Sequence, residues 1–185
     1  MKGHAKTTAQ IFQCGTATPQ NFDTIDFDAA PIRRDQARQL TLGLALSDDN
    51  KGFEGAAYDH RRDLIYVVKE RDAQQLYRIS GLRPTLAGNL QLDIRDLSAW
   101  VDAAGVSKDL SAITVEPDSG HLLLLSDESQ VVFELGSDGA LLDRRSLRAG
   151  GGLDADIPQP EGVVLDSRGE LFVVSEPNLF YRFVR

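Results

Sequence analysis

Apolar runs of four to six residues recur along the chain, alternating or unbroken, and polar turns separate them. This patterning predicts short β-strands rather than long helices. The arrangement repeats. From Glu161, an acidic residue opens the segment Glu161-Gly162-Val163-Val164-Leu165, and the turn Asp166-Ser167-Arg168-Gly169 follows. A second segment runs from Leu171 to Val174 and ends in Ser175-Glu176, and Leu179-Phe180-Tyr181-Arg182-Phe183 forms a third. The same plan runs from Glu54-Gly55-Ala56-Ala57-Tyr58-Asp59 through Leu64 to Val68 and Lys69-Glu70, then to Leu76-Tyr77-Arg78-Ile79. It runs again from Asp109-Leu110-Ser111-Ala112-Ile113 through Leu122 to Leu125 and Ser126-Asp127-Glu128, then to Val132-Phe133-Glu134-Leu135.

The opening acids Glu54, Asp109 and Glu161 lie 55 and 52 residues apart, close to the period of kelch and WD repeats and the size of one four-stranded propeller blade. The fold class expected is therefore all-β: a β-propeller of four-stranded antiparallel blades, about three and a half of them present. Outer strands are expected at Leu90 to Ile94 and, after the Asp138-Gly139 hairpin turn, at Leu141 to Leu147. Residues Leu97 to Ser107 suit a helical turn between blades. Residues 1–38 read as a poorly defined segment with short strands, and residues 39–185 as blades, led by an outer strand at Gln39 to Leu46. Propellers close with roughly four to eight blades, so either the ring is compressed or the chain is a piece of a longer one. No outer strand fits after Phe183. The last blade is expected to borrow one from residues 1–30 or from another molecule, and its open edge is a route to oligomers.

Composition narrows the function. Of 185 residues, 42% are hydrophobic, enough for a core, and the formal net charge is −8. An acidic chain lacks the basic face that neutralises phosphates, which argues against nucleic acid as a partner. The longest apolar run, Leu64 to Val68, is far short of the roughly 20 residues of a membrane span, and no apolar signal segment follows Lys2, His4 and Lys6. Cys14 is the single cysteine and forms no internal disulfide.

The repeated acids are the candidate chemistry. In a blade the first strand lines the channel and the second returns beside it, so Glu54, Glu70, Asp109, Asp127, Glu161 and Glu176 are expected at one rim. Carboxylates gathered there repel one another unless a cation, a paired base, hydrogen bonds or protonation relieves them. Calcium suits such a set, because it accepts several oxygen ligands in flexible geometry; His4, His60 and His121 make no zinc-like group. The structural alternative is that each acid caps backbone N–H groups or pairs with Lys51, Lys69, Arg71 or Lys108. No nucleophile elbow, phosphate-binding loop or zinc-protease helix is present, and Ser126, Ser129 and Ser175 lack a histidine partner in sequence. Tyr77, Phe133, Tyr181, Phe183 and Trp100 read as packing between blades more readily than as a ligand platform. Asp48-Asp49-Asn50 reads as a turn.

Three longer strings resemble a known family: Asn50-Lys51-Gly52-Phe53-Glu54-Gly55, Leu123-Leu124-Leu125-Ser126-Asp127-Glu128-Ser129, and Gln159-Pro160-Glu161-Gly162 leading to Val174-Ser175-Glu176-Pro177-Asn178-Leu179-Phe180-Tyr181-Arg182-Phe183. From about Arg38 onward the chain is similar to the SdiA-regulated (YjiK-like) family of bacterial envelope β-propellers. The resemblance implies a cell-envelope or periplasmic protein and carries no established activity. Members have an N-terminal hydrophobic anchor and further blades, neither of which occurs in this sequence. The function expected is a non-enzymatic propeller that binds a small molecule or a protein, with calcium at the rim. The alternative is a calcium-dependent hydrolase of lactones or phosphoesters using the same acids.

Overall fold

The structure is a computed structural model that describes residues 8–12, 21–26, 38–42, 53–70 and 73–184. The chain divides into two compact units, Met1–Gly52 and Phe53–Arg185. In the first, β1 (Thr8–Phe12), β2 (Asn21–Asp26) and β3 (Arg38–Thr41) form an antiparallel sheet in that order. The remainder of the expected strand to Leu46, the Asp48-Asp49-Asn50 turn, His4, Cys14, Lys51 and Arg71 lie outside the described residues.

The second unit contains three antiparallel meanders. The first sheet is β4 (Phe53–Asp59), β5 (Leu64–Lys69), β6 (Gln75–Ser80) and β7 (Asp93–Asp96). The second is β8 (Ala112–Val115), β9 (Leu122–Ser126), β10 (Val131–Leu135) and β11 (Leu141–Ser146). The third is β12 (Pro160–Leu165), β13 (Leu171–Ser175) and β14 (Leu179–Phe183). The first strand of the middle sheet, β8, packs beside both β4 and β12, as channel-side strands of successive blades do.

Why the sheets stack is visible in β9, whose Leu-Leu-Leu-Leu-Ser run is buried throughout. Alternate side chains of a strand point to opposite faces. Leu122 and Leu124 enter a core shared with Tyr66, Val68 and Leu76 of the first sheet and with Phe133, whereas Leu123 and Leu125 enter a core shared with Val163, Leu171 and Val173 of the third. Each buried leucine contributes about 1.5–3 kcal/mol from removal of apolar surface from water, so one apolar strand holds two neighbours. The outer strand β11, by contrast, is exposed along its whole length.

One expectation needs correction. The first outer strand begins at Asp93, not Leu90: Leu90 is exposed, and a short helix α1 (Leu82–Leu86) precedes the strand, anchored by buried Leu82. Gly81, at φ 76°, turns the chain from β6 into that helix. Among the described residues β1 and β2 pair with each other and β2 with β3. The last sheet has three strands among the described residues. The expected helical turn is present as α2 (Ser98–Ala104), with Val101 buried and Trp100 packed against the first core. Trp100 also explains Gly139, at φ 86°, where a Cβ would come within 2.4 Å of the indole ring. Phe133, Tyr181 and Phe183 fill the two cores, and Tyr77 meets Phe53 edge to face at 6.1 Å.

Candidate functional site: an acidic rim

The recurring Glu-Gly pair has a structural cause. In the first sheet Phe53 faces Lys69 while Gly55 faces Val68, so Glu54 is an extra residue between them. In the third, Pro160 faces Ser175 while Gly162 faces Val174, so Glu161 is extra in the same way. Each glutamate therefore sits on a β-bulge, a device that re-aims a side chain away from the regular ladder. The glycine that follows is required by close approach. A Cβ on Gly55 would lie 2.9 Å from Val68 Cγ2 and 3.0 Å from both Ala112 Cα and the Ile113 nitrogen, and one on Gly162 would lie 2.4 Å from Val174 Cγ2.

Glu54 and Glu161 are exposed, as is Glu176 at the end of β13, whereas Glu70 and Asp127 are half-buried at the ends of β5 and β9. These residues share one electrostatic environment. The Glu161 carboxyl is pushed above the usual carboxylate range, first by partial loss of solvent around it and then by the negative charges of Asp127, Glu176, Glu54 and Glu70. Four of the other five acids singled out from the sequence thus act on Glu161, from all three sheets.

Asp109 does something different. It is buried, and its carboxylate accepts hydrogen bonds from Ser126 Oγ, from Ser111 Oγ (3.2 Å) and from the backbone N–H groups of Asp127 (3.2 Å) and Glu128 (3.1 Å). The turn continues with Ser129 N–H donating to Ser126 Oγ at 3.1 Å and Lys108 N–H to Ser129 Oγ at 2.9 Å. Asp109 is a backbone cap that closes the β9–β10 turn onto the start of β8, and it spends its lone pairs there. Ser126 and Ser129 belong to the same cap. Ser175 donates to the Pro158 carbonyl. The serines are structural.

Calcium was the expected occupant of this rim. Among the described residues no three His, Cys, Asp or Glu side chains converge closely enough to hold a metal ion. At the opposite end of the sheets, His121 Nδ1 lies 2.7 Å from Glu134 Oε1, and Arg62 reaches the Pro117 and Asp118 carbonyls at 3.3 and 3.1 Å. The two glutamate bulges are the features that sequence reasoning missed, and capping, which it offered for every rim acid, is the role of Asp109. The only local signals were the glycine after each glutamate and the serines at positions 111 and 126.

Comparison with solved structures gives the fold. The chain is similar to a chain of a nidogen/laminin complex (TM-score 0.61, 15% identity over 95% of this chain and 57% of that one). It is also similar to a gluconolactonase from Xanthomonas campestris (TM-score 0.55, 13% identity, 90% of this chain and 45% of that one) and to a protein of unknown function from Bacteroides thetaiotaomicron (TM-score 0.53, 12% identity, 90% and 39%). The chain spans roughly half the length of these structures, and its fold is that of a β-propeller. At such identities fold is all that the likeness carries. The sequence match is more specific, and it extends over residues 20–184, both glutamate bulges and the Asp109 cap included: the chain belongs to the SdiA-regulated family.

Proposed function

We propose that this chain is a non-enzymatic binding propeller of the bacterial cell envelope, and that its acidic rim receives a positively charged group of a small molecule or a protein. The observation that carries the reading is that the negative charges of Asp127, Glu176, Glu54 and Glu70 add to the partial loss of solvent that raises the Glu161 pKa. A cation arriving at the rim removes that repulsion, and a local excess of one sign of charge also steers charged ligands toward it. An ammonium or guanidinium group suits carboxylates that are spread out, because it takes several separate charge-assisted hydrogen bonds. Calcium is the inorganic alternative, since it completes a partial set of carboxylates with water. The envelope location rests on the family.

Thermal shift and titration calorimetry with spermidine, a lysine-rich peptide and calcium chloride test the reading. A ligand that binds only the folded state at 100 times its dissociation constant stabilises it by about 2.7 kcal/mol. Glu161→Gln should weaken the response and leave the fold unchanged. Absence of heat and of any melting shift with all three would make the rim acids structural and end the proposal. Turnover of lactones or phosphoesters in the presence of calcium would favour a hydrolase instead, because it would require a general base and a substrate pocket beside the ion.

A further inference from the structure

The turn that joins β9 to β10 holds a residue at odds with its backbone. Where the other hairpin loops of the second and third sheets take a left-handed residue, among the described positions, they use glycine: Gly120, Gly139 and Gly169, at φ 78°, 86° and 76°. Gln130 has φ 52°, a conformation that strains a side-chain-bearing residue and that glycine or asparagine ordinarily takes. Its side chain has a specific task. Nε2 donates to the Asp127 carbonyl at 3.0 Å and to Asp127 Oδ1 at 3.1 Å, beside the backbone bond from Gln130 N–H to the same carbonyl at 2.9 Å. Turning the amide over would set Oε1 against a carbonyl and a carboxylate, so its orientation is fixed. Oε1 is buried and receives no hydrogen bond among the described residues, which costs stability a second time. One other buried side-chain acceptor among the described residues is in that state, Gln75 Oε1, and it too begins the strand after a rim acid, Glu70.

We propose that Gln130 is a positioning residue of the rim: it holds the Asp127 carboxylate so that Asp127 and Glu161 receive one ammonium group between the second and third sheets. This rests on the cation-binding function proposed above. Asp127 is the first of the four charges that act on Glu161, and Glu54 and Glu70, from the first sheet, are the last. A carboxylate at a turn is free to rotate, and that freedom is lost when a cation binds. The Gln130 amide removes it beforehand, as an outer partner does for a ligating side chain. Both carboxylates only accept, so the group they receive must donate: an ammonium with N–H bonds, as in a polyamine or a lysine side chain. Backbone strain and an unsatisfied buried acceptor are tolerated where a site requires them. A turn shaped by stability alone would hold glycine at this position.

Calorimetry with spermidine and melting curves on the full chain test this. Gln130→Gly relieves the left-handed strain and removes the unsatisfied oxygen, so its melting temperature should equal or exceed that of wild type. Its dissociation constant for spermidine should nevertheless rise about tenfold, the low end of what loss of an orienting partner costs. Gln130→Met keeps the side-chain length, loses both donated bonds, and should weaken binding by the same factor. In an Asp127→Asn background neither substitution should weaken binding further, because effects that pass through one carboxylate are not additive. A wild-type chain that binds none of spermidine, a lysine-rich peptide and calcium overturns the proposed function and this inference with it. A wild type that binds calcium alone, or binds spermidine no more tightly than Gln130→Gly does, overturns this inference only. So does an equal loss in both backgrounds, or a Gln130→Gly chain that melts well below wild type, since either makes Gln130 a structural residue of the turn.

Discussion

Glu54 and Glu161 occupy the same place in two different sheets: each is the extra residue of a bulge between the first and second strands, and each is followed by a glycine whose Cβ would meet a close neighbour. A repeat that looks like a motif for ligand binding is thus also a packing device. The bulge turns the glutamate to the rim, and the glycine lets the neighbouring strand close in behind it.

The two glycines are not equivalent, and their alanine variants should separate. At Gly55 the added methyl meets backbone atoms of Ala112 and Ile113, which cannot rotate away. Gly55→Ala should cost about 1–3 kcal/mol, as overpacking does. At Gly162 the obstacle is the side chain of Val174, itself 45% exposed and free to turn into solvent. Gly162→Ala should cost clearly less. Urea denaturation of both variants measures the difference, and equal losses would mean that the bulges rather than the contacts set the requirement.

Asp109→Ala should be among the most damaging single changes at the rim. It strands the buried Ser126 and Ser111 hydroxyls and the Glu128 backbone N–H, while the Asp127 N–H keeps the Ser111 oxygen at 3.2 Å. Each unsatisfied buried group costs about 1–3 kcal/mol, so even with repacking the loss should exceed 2 kcal/mol. Asp109→Asn keeps one acceptor oxygen and should fall between. Because Asp109 is a cap, the asparagine variant should keep the response to cations that Glu161→Gln weakens. Calorimetry on the two variants side by side makes that distinction.

At the far end, Arg62 ties the first sheet to the second. Its guanidinium donates to buried Asp59 at 2.8 Å and to the carbonyls of Pro117 and Asp118. Among the described residues, neighbouring Arg61 pairs with the exposed Asp118 carboxylate. Surface ion pairs contribute little, whereas removing the partner of a buried carboxylate is costly. Arg62→Ala should therefore lower the melting temperature well beyond Arg61→Ala. Arg62→Lys should restore only part of the loss, since a lysine lacks the fork that reaches a carboxylate and two carbonyls together.

The features legible in the sequence were those carried by local pattern. The spacing of Glu54, Asp109 and Glu161 and the turns at Asp138-Gly139 and Asp166 to Gly169 announced the blades, and the observed strands follow them. A bulge adds one residue without breaking an apolar run, so it became visible only once Phe53 and Pro160 had partners. The inward turn of Asp109 was equally hidden. Its acceptors' partners Ser126, Asp127 and Glu128 lie 17, 18 and 19 residues away, and nothing in the spacing distinguishes it from Glu54 or Glu161. The helix α1 was missed because Leu90-Gln91-Leu92 reads as an alternating strand, whereas Leu82 is the side chain that the fold buries.

The rim itself should report its repulsion through pH. Glu161 has a raised pKa in the folded state, caused first by reduced solvation and then by its four acidic neighbours. An acid whose pKa is higher folded than unfolded binds protons more readily in the native state, so stability falls as pH rises through the folded value and is fully restored below the unfolded one. The window therefore opens near the ordinary carboxylate range and extends above it. Wild type should lose stability across that interval relative to Glu161→Gln, which has no charge to repel. At neutral pH the glutamine variant should be the more stable, by no more than about 0.5 kcal/mol, because an exposed carboxylate is well screened by solvent. Below the unfolded carboxylate pKa the two should converge. Raising the salt concentration should shrink the gap at neutral pH, as screening acts on the four neighbouring charges, and saturating spermidine should shrink it further. Melting curves of the two proteins at several pH values measure all of this. A gap that is independent of both salt and pH would mean that the substitution acts through the bulge geometry and not through charge.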